Sequence, residues 1–129
     1  MKSVLIVDDS EADQYLAKAT ISQFSPNIEI LQAYDGQEAL DILSDLDEQP
    51  AVIFLDINMP RMNGHEFLHE YGQWENQTTV IVMLTSSEQE ADKTKSRAYK
   101  CVKKYFTKPL DTLKLKALFE DDELSEVLS

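Results

Sequence analysis

The chain has 129 residues, which is the length of one ordinary domain, and its composition of 43% hydrophobic and 28% charged residues argues against a disordered chain. Its net charge of −12 disfavours binding to nucleic acid, and it contains no apolar run of the ~18 residues that a membrane-spanning helix needs. Its single cysteine, Cys101, excludes an internal disulfide and a cysteine-based zinc cluster, so a reducing cytoplasm is the expected location.

The first half of the chain alternates short apolar runs with helical patterns. Residues 2–7 and 28–33 are rich in Val, Leu and Ile and predict two strands. Ser10 and Asp35 have the side chains of helix N-caps, so a helix is expected after each strand. The residues expected to face the core are Ala12, Tyr15, Leu16 and Ala19 in the first helix and Ala39, Ile42, Leu43 and Leu46 in the second.

The second half repeats this alternation. Residues 51–55 and 79–84 are apolar throughout, which is typical of central parallel strands, and residues 102–106 predict a fifth strand. A third helix is expected near Gly64 and a fourth after Ser87. The residues expected to face the core are Phe67, Leu68, Tyr71 and Trp74 in the third helix and Leu110, Leu113, Ala117 and Leu118 in the last helix. Five strands that alternate with five helices predict an α/β fold with a parallel sheet.

Polar side chains follow four of the predicted strands. They are Asp8 and Asp9 after the first strand, Asp56 after the third, Thr85 after the fourth and Lys108 after the fifth. Each of them alone has an ordinary structural explanation, as a helix cap or a solvated surface group. Because parallel strands end at one edge of a sheet, we expect these side chains to gather where α/β proteins bind ligands. Three converging carboxylates repel one another, and a bound Mg²⁺ relieves that repulsion. A carboxylate beside Mg²⁺ can attack phosphorus, while a lysine stabilises the charge on the phosphoryl oxygens.

Four segments of the chain share a further pattern. They are residues 4–10 (VLIVDDS), 52–64 (VIFLDINMPRMNG), 84–86 (LTS) and 106–110 (FTKPL). In their order and spacing these segments resemble the receiver domain of bacterial two-component response regulators. The resemblance implies a flavodoxin-like (βα)5 doubly wound parallel sheet of strand order 2-1-3-4-5. It also implies one stand-alone receiver domain over residues 1–129, similar to the chemotaxis regulators, with no output domain.

The resemblance implies a role for each residue at the sheet edge. Asp56 would accept a phosphoryl group from a histidine kinase or a histidine phosphotransfer protein. Asp9 and Asp56 would bind Mg²⁺ directly, Asp8 through water, and Asn58 through its backbone carbonyl. Lys108 would pair with the phosphoryl group. In this family the protein catalyses only its own phosphorylation and dephosphorylation, so the chain is not expected to be an enzyme with an external substrate.

The resemblance also implies a switch. Thr85 and Tyr105 match the family's switch pair, and phosphorylation would alter the face formed by the predicted fourth helix, the fifth strand and the last helix. Plain packing at a strand end is the alternative explanation for Tyr105. The chain would signal by protein contact to an unidentified downstream target, as a monomer or weak dimer without nucleic acid or membrane. A phosphate shuttle or sink in a phosphorelay is the alternative function.

A basic segment lies near the predicted switch face. Its cations are Lys93, Lys95, Arg97, Lys100, Lys103, Lys104 and Lys108. One hypothesis is that this segment meets an acidic surface of a partner. A solvated helix face explains the same residues equally well.

A competing motif spans residues 65–69. His65, Glu66 and His69 match the His-Glu-x-x-His pattern of zinc metalloproteases, in which the histidines hold zinc and the glutamate is the base. A zinc hydrolase is disfavoured because the acidic edge would go unexplained, and both histidines are expected at the surface. A receiver-like scaffold that binds partners without phosphorylation is a third alternative, which the complete set of acids, threonine and lysine disfavours.

Overall fold

The computed structural model of the chain describes residues 3–57, 59–74, 79–85, 102–108 and 110–119. Its strands are β1 (Ser3–Val7), β2 (Glu29–Ala33), β3 (Val52–Leu55), β4 (Val80–Thr85) and β5 (Val102–Thr107). Its helices are α1 (Glu11–Phe24), α2 (Gly36–Asp45), α3 (Gly64–Tyr71) and α4 (Thr112–Phe119). The helix predicted after Ser87 lies outside the described residues, and α4 is the last predicted helix. Within the described ranges no helix is long and apolar enough to cross a lipid bilayer.

The strands form one parallel sheet. The sheet has five strands in the order β2-β1-β3-β4-β5, which confirms the predicted flavodoxin-like topology. All residues of β3 are buried, as expected for a strand that is covered on both faces. Backbone pairing continues past the strand ends, since the amide of Asp8 donates to the carbonyl of Ala33 (3.0 Å) and the amide of Asp56 to that of Val7 (2.9 Å). The sheet therefore brings two of the predicted acids to one edge.

Alternate side chains of the sheet enter two separate cores. Ile6 and Phe54 pack under α1 and α4, while Leu5 and Ile53 pack under α2 and α3 on the opposite face. This alternation follows from the period of two residues in a strand. Both faces of the sheet are thus covered, and its carboxyl edge is the place where loops and polar side chains collect.

The buried face of α1 differs from the predicted one. The predicted residues Ala12, Tyr15, Leu16 and Ala19 are all exposed. The buried residues are instead Gln14, Ala17 and Ile21. The prediction was wrong because Gln14, a polar residue, occupies the first buried position of the helix, so the apolar residues beside it suggested the wrong face.

The buried face of α4 also differs in part. Leu110 and Leu118 are buried as predicted, but Leu113 and Ala117 are exposed, and Leu115 and Phe119 take their place. The helix begins at Thr112, after Leu110, so the helical period cannot be counted from that leucine. The ring of Phe119 stacks on that of Phe24 with centroids 5.4 Å apart, which joins α4 to α1.

Candidate functional site

Three carboxylates meet at the carboxyl edge of the sheet. Asp8 and Asp9 follow β1, Asp56 follows β3, and an oxygen of each lies within 4.8 Å of an oxygen of the others. Asp8 and Asp56 are buried, with 2% and 7% of their surface exposed, whereas Asp9 is exposed. Among the residues that the structure describes, no other three acidic, histidine or cysteine side chains converge in this way. The acid cluster formed by Asp8, Asp9 and Asp56 is therefore the candidate metal site, and its oxygen ligands are those that a hard divalent cation prefers.

Lys108 reaches the acid cluster from the end of β5. Its Nζ lies 2.8 Å from Oδ2 of Asp8 and 3.6 Å from Oδ1 of Asp56. A fourth acid also contacts it, since Oδ2 of Asp13 lies 2.9 Å from the same nitrogen. In the sequence Asp13 stood out only as an acid in the first turn of a helix. The contact joins residues 95 positions apart in the chain, so the local pattern contained no signal for it.

The electrostatics of the cluster follow from burial and from crowding of like charges. Burial is the largest influence on Asp56 and raises its pKa; the charge of Lys108 lowers it, the charges of Asp8 and Asp9 raise it, and the net result is a pKa of about 6. Burial also raises the pKa of Asp8, in spite of its hydrogen bond from Lys108. For Lys108, burial would lower the pKa, but the hydrogen bonds to Asp8 and Asp13 outweigh it and raise the pKa. The buried carboxylates are therefore unfavourably placed without a cation.

A buried glutamine supports the turn that follows β1. The side-chain nitrogen of Gln14 donates to the carbonyls of Ile6 (3.1 Å), Asp8 (3.1 Å) and Ala33 (2.8 Å). Its side-chain oxygen accepts a hydrogen bond from Gln32 at 3.1 Å. Gln14 thus ties the ends of two strands together directly beneath the acid cluster. No local sequence pattern identifies Gln14 in this role, because its acceptors belong to other elements of the fold.

The loop after Asp56 is held at its far end by Gly64. The Gly64 amide donates to the carbonyl of Ile57 at 2.8 Å. A Cβ at this position would lie 2.6 Å from the backbone oxygen of Asp56, closer than real Cβ contacts come. Only glycine fits here without moving the backbone next to the candidate phosphoacceptor.

The same loop is joined to α2 by an ion pair. Arg61 donates two hydrogen bonds to Asp35, at 2.8 Å and 3.0 Å, and its backbone is left-handed with φ 60°. Asp35 also caps α2 by accepting from the amide of Glu38 at 2.8 Å, which confirms the predicted cap. The amide of Gly36 donates to the carbonyl of Met62 at 2.9 Å. The loop is therefore fixed both to its own strand and to the neighbouring helix.

The predicted switch residues lie at the same side of the molecule as the cluster. The backbone of Thr85 ends β4 and is in register with Thr107 of β5, next to Lys108. Tyr105 is half-buried and packs against the core under α2 and α3. Asn58 and the basic residues at positions 93–100 lie outside the described residues, while Lys104 is exposed.

The His-Glu-x-x-His segment forms the start of α3. Asn63 accepts from the amide of Glu66 at 2.9 Å, and the carboxylate of Glu66 accepts from the amide of Asn63 at 3.1 Å. This reciprocal pair is a capping box, so the glutamate stabilises a helix end. His69 is exposed as expected, but the expectation for His65 was wrong because it is buried with 7% of its surface exposed. Neither histidine joins a metal-type cluster within the described part of the chain.

Comparison with known proteins assigns nearly the whole chain to one family. Residues 4–120 match the family model of the response regulator receiver domain. The chain is 31% identical to the sensor histidine kinase CheAY of Helicobacter pylori over 82% of its length, a match that spans 13% of that protein. It is 29% identical to the protein PilH of Pseudomonas aeruginosa, over 86% of this chain and 88% of PilH. It is also 32% identical to the response regulator Rcp1 of Synechocystis, over 70% of this chain and 66% of Rcp1.

Solved structures agree with these sequence matches. The bacteriophytochrome response regulator AtBRR superposes with a TM-score of 0.82 at 27% identity, over 97% of this chain and 93% of its own. The Mn²⁺-bound form of Rcp1 superposes with a TM-score of 0.74 at 30% identity, over 97% of this chain and 91% of its own. Both superpositions therefore cover nearly the whole chain.

Proposed function

The chain belongs to the response regulator receiver domain family, and from this premise we propose that it is a signalling switch whose Asp56 accepts a phosphoryl group. The observation that supports this role best is the position of Asp56, which lies at the end of β3 with two acids within 4.8 Å and Lys108 at 3.6 Å. We propose that the chain, like the response regulator Rcp1, acts in signalling and has no external substrate. The proposed donor is a histidine kinase or a histidine phosphotransfer protein.

The chemistry proposed for Asp56 is a nucleophilic displacement. With a pKa of about 6, its carboxylate is mainly ionised at neutral pH. An oxygen of Asp56 forms a bond to phosphorus as the P–N bond of a phosphohistidine breaks, and the imidazole leaves with the electron pair and takes up a proton. The ammonium of Lys108, beside the carboxylate, stabilises the charge on the transferred oxygens. A threonine at position 85 is proposed to bond to the same group afterwards.

The proposed cofactor is Mg²⁺. Oxygens of Asp8, Asp9 and Asp56 lie within 4.8 Å of one another; Asp9, Asp56 and the backbone carbonyl of Asn58 are the proposed direct ligands, and Asp8 is proposed to bind through water. When bound, the cation would neutralise the repulsion among the carboxylates and stabilise the charge of the phosphoryl oxygens. The structure of Rcp1 in a Mn²⁺-bound form supports a divalent cation in this family.

The proposed output is a change of surface near β5. Phosphorylation adds nearly one further negative charge and acceptor oxygens at Asp56. We expect Thr85 and Tyr105 to respond, and the face that includes β5 and α4 to contact a downstream protein. A phosphate shuttle or sink would use the same chemistry and would differ in passing the phosphoryl group to another protein.

Intact mass spectrometry tests the proposed phosphoacceptor. The chain is incubated with acetyl phosphate and Mg²⁺, and the Asp56→Ala variant is treated in the same way. We expect one phosphoryl adduct on the wild type, none on the variant and none in EDTA. Asp45→Ala, which removes an exposed acid at the end of α2, is the matched control and should accept the adduct normally.

Two results would contradict the proposal. An adduct that persists in Asp56→Ala would place the phosphoryl group on another residue. If the wild type takes up nothing from acetyl phosphate or from a phosphohistidine protein, the chain is a scaffold that works without phosphorylation.

A further inference from the structure

Lys108 contacts an acid that belongs to neither the acid cluster nor the switch pair. Building on the proposed function, we propose that Asp13 is a positioning residue, which holds the ammonium of Lys108 away from Asp56 and thereby slows phosphorylation. Asp13 lies in the first turn of α1, where its amide donates to the cap residue Ser10 at 3.2 Å. Its carboxylate is therefore presented to Lys108 from a fixed helix end.

The distances show which acids accept hydrogen bonds from Lys108. An ammonium group has three protons to donate. Asp8 and Asp13 accept hydrogen bonds from it at 2.8 Å and 2.9 Å, whereas the nearest oxygen of Asp56 lies at 3.6 Å. A distance of 3.6 Å is too long for a hydrogen bond. In this arrangement the lysine is directed mainly at the two acids on the α1 side of the site.

The two acids differ in how readily they can release the lysine. The Asp8 side chain is 3% exposed and also accepts from the amide of Ser10 at 2.9 Å. The Asp13 side chain is 41% exposed, so water replaces the lost contact at little cost. A cleft of about 240 Å³, whose wall includes Asp13, Lys108 and Leu16, leaves room beside the pair. Asp13 is thus the partner that gives way when a phosphoryl group arrives.

Competition for Lys108 predicts a kinetic effect. A phosphoryl group on Asp56 has up to two negative charges and three acceptor oxygens, all of which attract the ammonium. Because Lys108 already contacts the Asp13 carboxylate, part of that attraction only offsets the loss of this contact. Without the charge at residue 13, the lysine is free to approach Asp56, and the transfer is faster.

The test compares phosphorylation rates in acetyl phosphate with saturating Mg²⁺, followed by intact mass. We expect Asp13→Asn to react about two- to fivefold faster than the wild type, the factor that a half-exposed ion pair is worth. Asp13→Glu keeps the negative charge, so its rate should stay within about twofold of the wild-type rate. Glu11→Gln removes an exposed acid from the same turn of α1 and controls for the general loss of negative charge.

Each outcome decides the role of Asp13. A faster Asp13→Asn with an unchanged Glu11→Gln supports it. An unchanged or slower Asp13→Asn overturns it, and so does an equal acceleration in Glu11→Gln, which would show that only the net charge matters. The wild-type adduct itself tests the proposed function, so its absence would overturn that function and this inference together.

Discussion

Asp35 and Asp56 each expose 7% of their surface, but Asp56 lies deeper in the protein, and their pKa values move in opposite directions. For both carboxyl groups burial raises the pKa, and this is the largest single influence. At Asp35 two hydrogen bonds from Arg61 and a backbone amide overcome it, so the pKa falls. At Asp56 the lysine is 3.6 Å away and shared with other acids, so the pKa rises to about 6.

The exposed surface fraction alone therefore does not identify a reactive acid, because depth of burial and the partners of the carboxylate also set its pKa. The carboxylate of Asp35 is stabilised by the guanidinium of Arg61 and by the backbone amide of Glu38 in the first turn of α2, and the fold holds both groups in place. Asp56 lies beside Asp8 and Asp9 and shares Lys108 with Asp8 and Asp13, so its charge is only partly balanced within the chain. One carboxylate therefore stabilises the fold, whereas the other costs stability and is available for chemistry.

The largest expected effect on stability comes from Asp56. In EDTA at pH 7, Asp56→Asn should raise the free energy of unfolding by about 1–3 kcal/mol, because a shift from 3.8 to about 6 represents roughly two pKa units at about 1.4 kcal/mol each. Urea denaturation followed by circular dichroism measures it. Asp45→Asn, at an exposed position, should leave stability unchanged. A destabilised Asp56→Asn would show that the buried charge is already compensated within the chain.

A smaller and opposite effect is expected from Asp35. Asn caps helices as well as Asp, so Asp35→Asn removes the charge and keeps the cap. The free energy of unfolding should fall by about 0.2–1 kcal/mol, a modest amount since the Arg61 side chain is 62% exposed in this pair. The control is Asp41→Asn on the exposed face of α2. If both substitutions changed stability equally, the ion pair with Arg61 would have no special role.

The smallest expected effect is the change with pH in the stability differences caused by Asp56→Asn and Asp35→Asn. The folded pKa of Asp56 is raised, so between pH 4 and about 6 the folded chain binds more protons than the unfolded chain, and the advantage of Asp56→Asn should shrink as pH falls through that window. The folded pKa of Asp35 is lowered, so its contribution is present above pH 3.8 and is lost only as pH falls below that value. Urea midpoints from pH 7 to 3 check both signs. An advantage of Asp56→Asn that is constant with pH would rule out the raised pKa.

Much of the fold and of the site followed from the sequence because both depend on strand ends. Apolar runs located the five strands, and the parallel topology then brought Asp8, Asp9, Asp56 and Lys108 to one edge. Each of these residues could be found by its position directly after a strand. The position of Glu66 also counts against the zinc motif, since this glutamate lies in the first turn of α3 and caps that helix.

The remaining features depend on contacts that no local pattern contains. Gln14 is buried because three carbonyls of β1, β2 and the following turn converge on it, and a hydrophobic period cannot anticipate such partners. The same residue caused the error in the buried face of α1. Asp13 and Arg61 acquire their roles from partners 95 and 26 positions away. Such pairings appear only once the fold is known.

The left-handed backbone of Arg61 has a consequence for which sequences this fold can accept. Glycine adopts φ 60° without strain, whereas a side-chain-bearing residue there costs roughly 1–2 kcal/mol. The exposed ion pair with Asp35 returns about 0–1 kcal/mol, and the greater backbone freedom of an unfolded glycine favours arginine by about 0.4–1 kcal/mol, so the opposing amounts nearly cancel. Exchange between arginine and glycine at this position is therefore close to neutral for folding. What Arg61→Gly would remove is the tie between the loop after Asp56 and the start of α2.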